Sequence, residues 1–199
     1  MKRTIFTILI LTQVALNAQN MKPSDSFSVL KMEVKGDLNK DNIEDKVVVT
    51  QDTINEKSPY KIQIYFGEAD GKLNLIVAST KLIEAQYPDG RDGFKTGNEF
   101  ADVTIKNGII SVNSELLRGH FEYKFRFQNG NFELIGFSEV ASDGQGVMST
   151  TDFNLSTGMR IVISERYDTN EVISNTKKKI LIRPLPKFQD VAPFENELY

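Results

Sequence analysis

The chain has 199 residues, 24 Lys and Arg against 27 Asp and Glu, one His and no Cys or Trp. At 40% hydrophobic content it is too apolar for a disordered chain and long enough to bury one domain core. The missing Cys exclude disulfides, thiolate metal ligation and cysteine catalysis; the single His excludes paired-histidine metal sites; the formal charge of −3 argues mildly against a nucleic-acid binder.

Residues 1–18 read as an export signal. Lys2 and Arg3 precede an apolar run from Ile5 to Leu11 that continues weakly to Leu16, and Ala18 stands before polar Gln19 and Asn20. The run is interrupted by Thr7, Thr12 and Gln13 and is too short for a membrane span. No Cys near the cut offers a lipid anchor. The expectation is an exported protein, periplasmic or extracellular, with a flexible polar segment over 19–27, a single β domain over 28–183 and an extended segment over 184–199.

From residue 28 the hydrophobic period is close to two. Leu30, Met32 and Val34 alternate with Lys31, Glu33 and Lys35; Lys46-Val47-Val48-Val49-Thr50 is a β-branched run; Tyr60, Ile62, Ile64 and Phe66 alternate with polar neighbours. Tight-turn pairs then recur between apolar runs: Asp70-Gly71, Asn107-Gly108, Asn129-Gly130 and, more weakly, Thr157-Gly158. At most one helical turn is expected, around 82–86. These signals predict an all-β, hairpin-rich domain, an antiparallel meander or β-sandwich. Lys177, Lys178 and Lys179 read as a solvated edge, and the prolines of Arg183-Pro184-Leu185-Pro186 argue against a central strand there.

Two glycine-rich loops interrupt the hairpins, over 87–98 and 141–146. Neither has the Lys and helix start of a phosphate-binding loop. The first is long and rich in turn residues, as binding loops are.

The most specific chemical signal is Asp37-Leu38-Asn39-Lys40-Asp41-Asn42-Ile43-Glu44-Asp45. Asp37, Asn39, Asp41 and Asp45 hold positions 1, 3, 5 and 9 of a loop, the spacing with which hard oxygen ligands wrap Ca²⁺, and the Ile43 carbonyl at position 7 adds another oxygen. Asn42 replaces the glycine of the helical calcium hand, and Val48 stands where that hand has its bidentate carboxylate. The loop resembles the Asp-x-Asn-x-Asp-Gly-x-x-Asp loops of secreted β proteins, notably FG-GAP and VCBS-like repeats. The chain also looks like exported bacterial β proteins that carry one such loop and end their hairpins in a phrase like Asn131-Phe132-Glu133-Leu134-Ile135-Gly136. The resemblance implies one structural calcium ion; a propeller of that class needs several copies of the loop.

Signals for catalysis are sparse. His120 lies on the polar side of an alternating strand, Phe121 to Phe127, with Ser114 and Glu115 nearby only in sequence. The stripe of Phe121, Tyr123, Phe125 and Phe127 reads as a packed sheet face, with a carbohydrate or peptide platform as the alternative. The functional expectation is a calcium-stabilised, non-enzymatic binding or envelope accessory module whose partner is a glycan, a peptide or an envelope protein, and which contacts no nucleic acid. The rivals are a secreted hydrolase with an unrecognised carboxylate site and a purely structural envelope protein.

Overall fold

The computed structural model describes residues 26–199; the export signal read over 1–18 and most of the polar segment 19–27 lie outside the described residues. Eleven strands follow in chain order: β1 Val29–Gly36, β2 Asp45–Gln51, β3 Tyr60–Gly67, β4 Leu73–Ser79, β5 Glu99–Lys106, β6 Ile109–Leu116, β7 Gly119–Gln128, β8 Asn131–Ser142, β9 Val147–Asn154, β10 Met159–Arg166 and β11 Val172–Lys179. A short 3-10 helix, Phe188–Asp190, is the one helical element among the described residues. Residues 82–86, where a helical turn was expected, are irregular. The Leu82 N–H donates to Ser79 Oγ at 3.2 Å, and Leu82 and Ile83 are buried in the core.

Every named strand pairs antiparallel with its sequence neighbour within its sheet, giving a four-stranded sheet β1-β2-β3-β4 and a seven-stranded sheet β11-β10-β9-β8-β7-β6-β5. The turn chemistry explains this meander. Asn107 and Gly108 (φ 54° and 73°) and Asn129 and Gly130 (φ 52° and 73°) both take the left-handed conformation between paired Lys106–Ile109 and Gln128–Asn131. That is the two-residue turn whose twist matches the strands it joins.

The two sheets pack face to face around one core. Val47, Val49, Ile62 and Ile64 of the smaller sheet meet Val103, Ile110, Val112, Tyr123 and Phe125 of the larger. Phe66 of β3 crosses the interface to Phe127, edge-on with centroids 5.0 Å apart. A bulge at Ile135 shifts the β7–β8 register, so Phe132 and Leu134 before it and Phe137 after it all reach the core. Past the cover of the smaller sheet, β10 is only partly buried and β11, the edge strand carrying Lys177, Lys178 and Lys179, is exposed throughout.

The segment over 184–199 contributes to the core. The Leu134 N–H donates to the Pro186 carbonyl at 2.8 Å, and Lys187 forms a β-bridge with Glu133. Phe188, 0% exposed, packs edge-on against Phe125 with centroids 5.0 Å apart, between strand β4 and strand β8. Leu185 and Val191 are buried beside it.

Candidate functional site

The loop over 37–45 joins β1 to β2 and is anchored at both ends. Leu38 is buried in the core, and Asp45 is 0% exposed. The Leu38 N–H donates to Asp45 Oδ2 at 2.7 Å, and the Gly67 N–H, at the end of β3, donates to Asp45 Oδ1 at 3.0 Å. One carboxylate therefore ties the loop to itself and to a neighbouring strand. Close approach at Gly67 demands glycine, because a Cβ there would lie 2.4 Å from the Glu44 carbonyl oxygen.

Between the anchors the backbone doubles back through Lys40 and Asn42, at φ 69° and 64°. The acidic and amide side chains support those bends. Asp37 Oδ1 accepts from the Lys40 N–H at 2.6 Å and Oδ2 from the Asn42 N–H at 3.1 Å. Asn39 Oδ1 accepts from the Asp41 N–H at 3.0 Å, and Asp41 Oδ1 accepts from the Ile43 N–H at 2.8 Å. Asn39 Nδ2 donates to Asp41 Oδ2 at 2.8 Å. The bonds of Asn39 and Asp41 to the N–H two residues on are Asx turns, in which the side chain stands in for a backbone carbonyl; Asp37 reaches further along the loop, to the third and fifth residues after it. Among the described residues no three His, Cys, Asp or Glu side chains converge as a metal-binding group. The oxygens of Asp37, Asn39, Asp41 and Asp45 lie along one short loop but each is directed at a backbone amide or, in one case, a neighbouring side chain.

Electrostatics single out Asp45. Burial pushes its carboxyl up; the N–H groups of Leu38 and Gly67 oppose that, and the charges of Asp41 and Asp37 reinforce it. Each carboxylate oxygen has two lone-pair directions, so the amide bonds leave acceptor capacity on all three acids.

A cavity of about 180 Å³ opens at the seam between the sheets, lined by Tyr60, Phe100, Phe121, Lys31, Glu84 and Glu99 among others. Tyr60 and Phe100 pack with centroids 5.6 Å apart. Burial, then Glu99, pushes the Tyr60 hydroxyl up, so it stays a neutral donor. The cavity sits at the neck of the glycine-rich 87–98 loop. Asn98 Nδ2 donates to Glu84 Oε2 at 2.9 Å, closing that neck, and Gln51 Nε2 donates to Gln86 Oε1 at 2.9 Å below it. Arg91 and Lys95 both lie 5.8 Å from the Tyr87 ring, and Phe94 at the tip is 75% exposed.

The residues considered for catalysis separate. His120 pairs across strands with Glu115 on the outer face and is exposed, whereas Ser114 pairs with Phe121 on the buried face. Ser114 and His120 point to opposite sides of the sheet and form no joint site; Glu115 lies across from His120 on the outer face, and no ion pair joins the two. Phe121, Tyr123 and Phe125 are buried and Phe127 half-buried, so the stripe is packed into the core and does not form an open platform. The structure instead brings Glu84, Asn98, Glu99 and Tyr60 together. Sequence reasoning missed this grouping because Tyr60 belongs to the other sheet.

Comparison with protein-family models, with curated proteins and with solved structures gave no match. Among the described residues no helix is long and apolar enough to cross a membrane.

Proposed function

We propose that the protein is an exported, calcium-stabilised β domain acting as a non-enzymatic binding module, with the ion at the 37–45 loop and the ligand at the cavity beside the 87–98 loop. The observation that carries the calcium reading is Asp45: a fully buried carboxylate, with Asp37 and Asp41 adding negative charge, at the junction of β1, β2 and β3. A cation relieves that like-charge load, and the spacing of Asp37, Asn39, Asp41, the Ile43 carbonyl and Asp45 is that of an oxygen-ligand loop. Ligation requires the side chains of Asp37, Asn39 and Asp41 to turn from the backbone amides they now accept from toward a common centre. The ion's role there is structural.

The cavity suits a polar ligand with a flat apolar face, a glycan unit or a peptide segment. Aromatic side chains supply the face, and Glu84, Glu99, Asn98 and Lys31 supply directional partners. Calorimetric titration with Ca²⁺ tests the first half. Heat of binding should be lost in Asp41→Asn and kept in Lys40→Ala, whose side chain is an outward charge; no heat in the wild type refutes it. A glycan and peptide screen tests the second half. Binding weakened by Glu99→Gln supports it, and turnover abolished by Glu99→Gln replaces it with a hydrolase.

A further inference from the structure

A second cavity, of about 110 Å³, lies on the other side of Phe121, between the inner face of the larger sheet and the C-terminal segment. Tyr123, Phe137, Phe194 and Tyr199 form its apolar walls, and Glu139 and Arg160 stand on its floor. Register puts the two charges on one face. Phe137 pairs with Phe153, which pairs with Arg160; Glu139 pairs with Thr151, one row along. Arg160 and Glu139 therefore flank β9 from β10 and β8.

Neither side chain makes a hydrogen bond or ion pair with a described residue. Arg160 Nε is buried and has no hydrogen-bond partner, the one such side-chain atom among the described residues. A buried donor without an acceptor costs more than a made bond returns, and a native structure rarely keeps one without a reason. Burial pushes the Glu139 carboxyl up and the Arg160 charge pulls it back. Two opposite charges thus line one small cavity with aromatic walls, and neither is paired with the other.

We propose that this cavity binds a small zwitterion of the α-amino acid type, its carboxylate on Arg160 Nε and its ammonium on Glu139. The charge balance selects that class. Glu197 also lines the cavity, so two carboxyl groups face one guanidinium, and a bare anion meets net repulsion. A bare cation leaves Arg160 Nε unpaired. A zwitterion satisfies both ends, and the aromatic walls add cation–π attraction for the ammonium. The size limit is equally direct. A cavity of about 150 Å³ accepts benzene, with six non-hydrogen atoms, so at about 110 Å³ this one takes a ligand no larger than that, glycine or alanine at most, and rejects bulky side chains.

The test is nuclear magnetic resonance of the arginine Nε–Hε groups in the purified chain, with the Arg160 signal assigned by its loss in Arg160→Gln. L-Alanine, propionate and ethylamine are titrated separately. L-Alanine should shift the Arg160 signal saturably, and propionate and ethylamine should bind at least tenfold more weakly. Glu139→Gln should weaken L-alanine at least tenfold and leave propionate no weaker. No saturable shift up to ~50 mM L-alanine, well above the range of specific small-ligand affinities, overturns the proposal, and so does equal affinity for propionate and L-alanine. The ligand series is read on the wild-type chain, and the Arg160 signal is assigned independently through its own backbone correlations, so misfolding of a mutant cannot mask the outcome.

Discussion

Replacing Asp45 by Asn isolates the junction that the rest of the loop depends on. The carboxylate is fully buried and accepts N–H bonds at 2.7 Å and 3.0 Å from two different segments. An amide keeps one acceptor oxygen; its NH₂ then faces the second backbone N–H. Leaving that donor unsatisfied costs about 1–3 kcal/mol, and turning the remaining charge-assisted bond into a neutral one costs about 1 kcal/mol more. Relief of the burial cost of the charge, the largest influence on this carboxyl, offsets part of the loss. The expected net loss is about 2 kcal/mol, a fall of roughly 4–8 °C in Tm for a domain of this size. Urea and thermal denaturation in chelator provide the assay, so that no metal contributes. Asp45→Ala, which removes both acceptors, should lose more. An Asp45→Asn variant within ~0.5 kcal/mol of wild type, the range of an ordinary surface change, would refute the reasoning, as would Asp45→Ala being the milder of the two.

Three further outcomes are expected. Phe188→Ala should cost about 3–5 kcal/mol in urea denaturation, as for any fully buried aromatic; a loss near zero would show the C-terminal segment to be dispensable packing. Gly67→Ala should destabilise by about 1–3 kcal/mol, because the added Cβ meets a backbone carbonyl oxygen that cannot swing aside. Glu139 has its carboxyl raised in the folded state, so its contribution to stability is fully present below the unfolded-state value and is lost as pH rises through the folded-state value. The stability of wild type relative to Glu139→Gln should therefore grow as pH is lowered from about 7 to about 4; a flat difference across that range would contradict the burial of this group.

The strands were legible where turn chemistry and alternation agree. Asn107-Gly108 and Asn129-Gly130 leave a two-residue turn little choice, and the alternation from Phe121 to Phe127 places His120 on the polar face where it is found. Alternation does not say what covers a face, so the stripe alone is compatible with a platform; the packing of the second sheet and the C-terminal segment over it makes it core. The bulge at Ile135 had one cue, Gly136 inside the strand pattern, but the apolar run through Leu134 and Ile135 does not say which residue is left unpaired. Leu185, Phe188 and Val191 recur at every third residue, a signal for a buried short helix, whereas the neighbouring prolines speak only against a central strand. The 37–45 loop shows the limit most plainly. The types and spacing of Asp37, Asn39, Asp41 and Asp45 are equally those of metal ligands and of Asx turns, since both need a short-armed oxygen acceptor. Both cavities draw on residues from distant strands, Tyr60 with Glu99 and Glu139 with Arg160, and only strand order brings these together.

The central claim, that a calcium ion at this loop holds the ends of β1, β2 and β3, is tested most directly by thermal melts of the chain in calcium and in chelator. A ligand bound only by the folded state and present at about 100 times its dissociation constant adds about 2.7 kcal/mol, which is roughly 5–10 °C in Tm here. The account predicts a rise of that order in calcium, absent with magnesium alone and abolished in Asp41→Asn. Coincident midpoints in calcium and in chelator would contradict it.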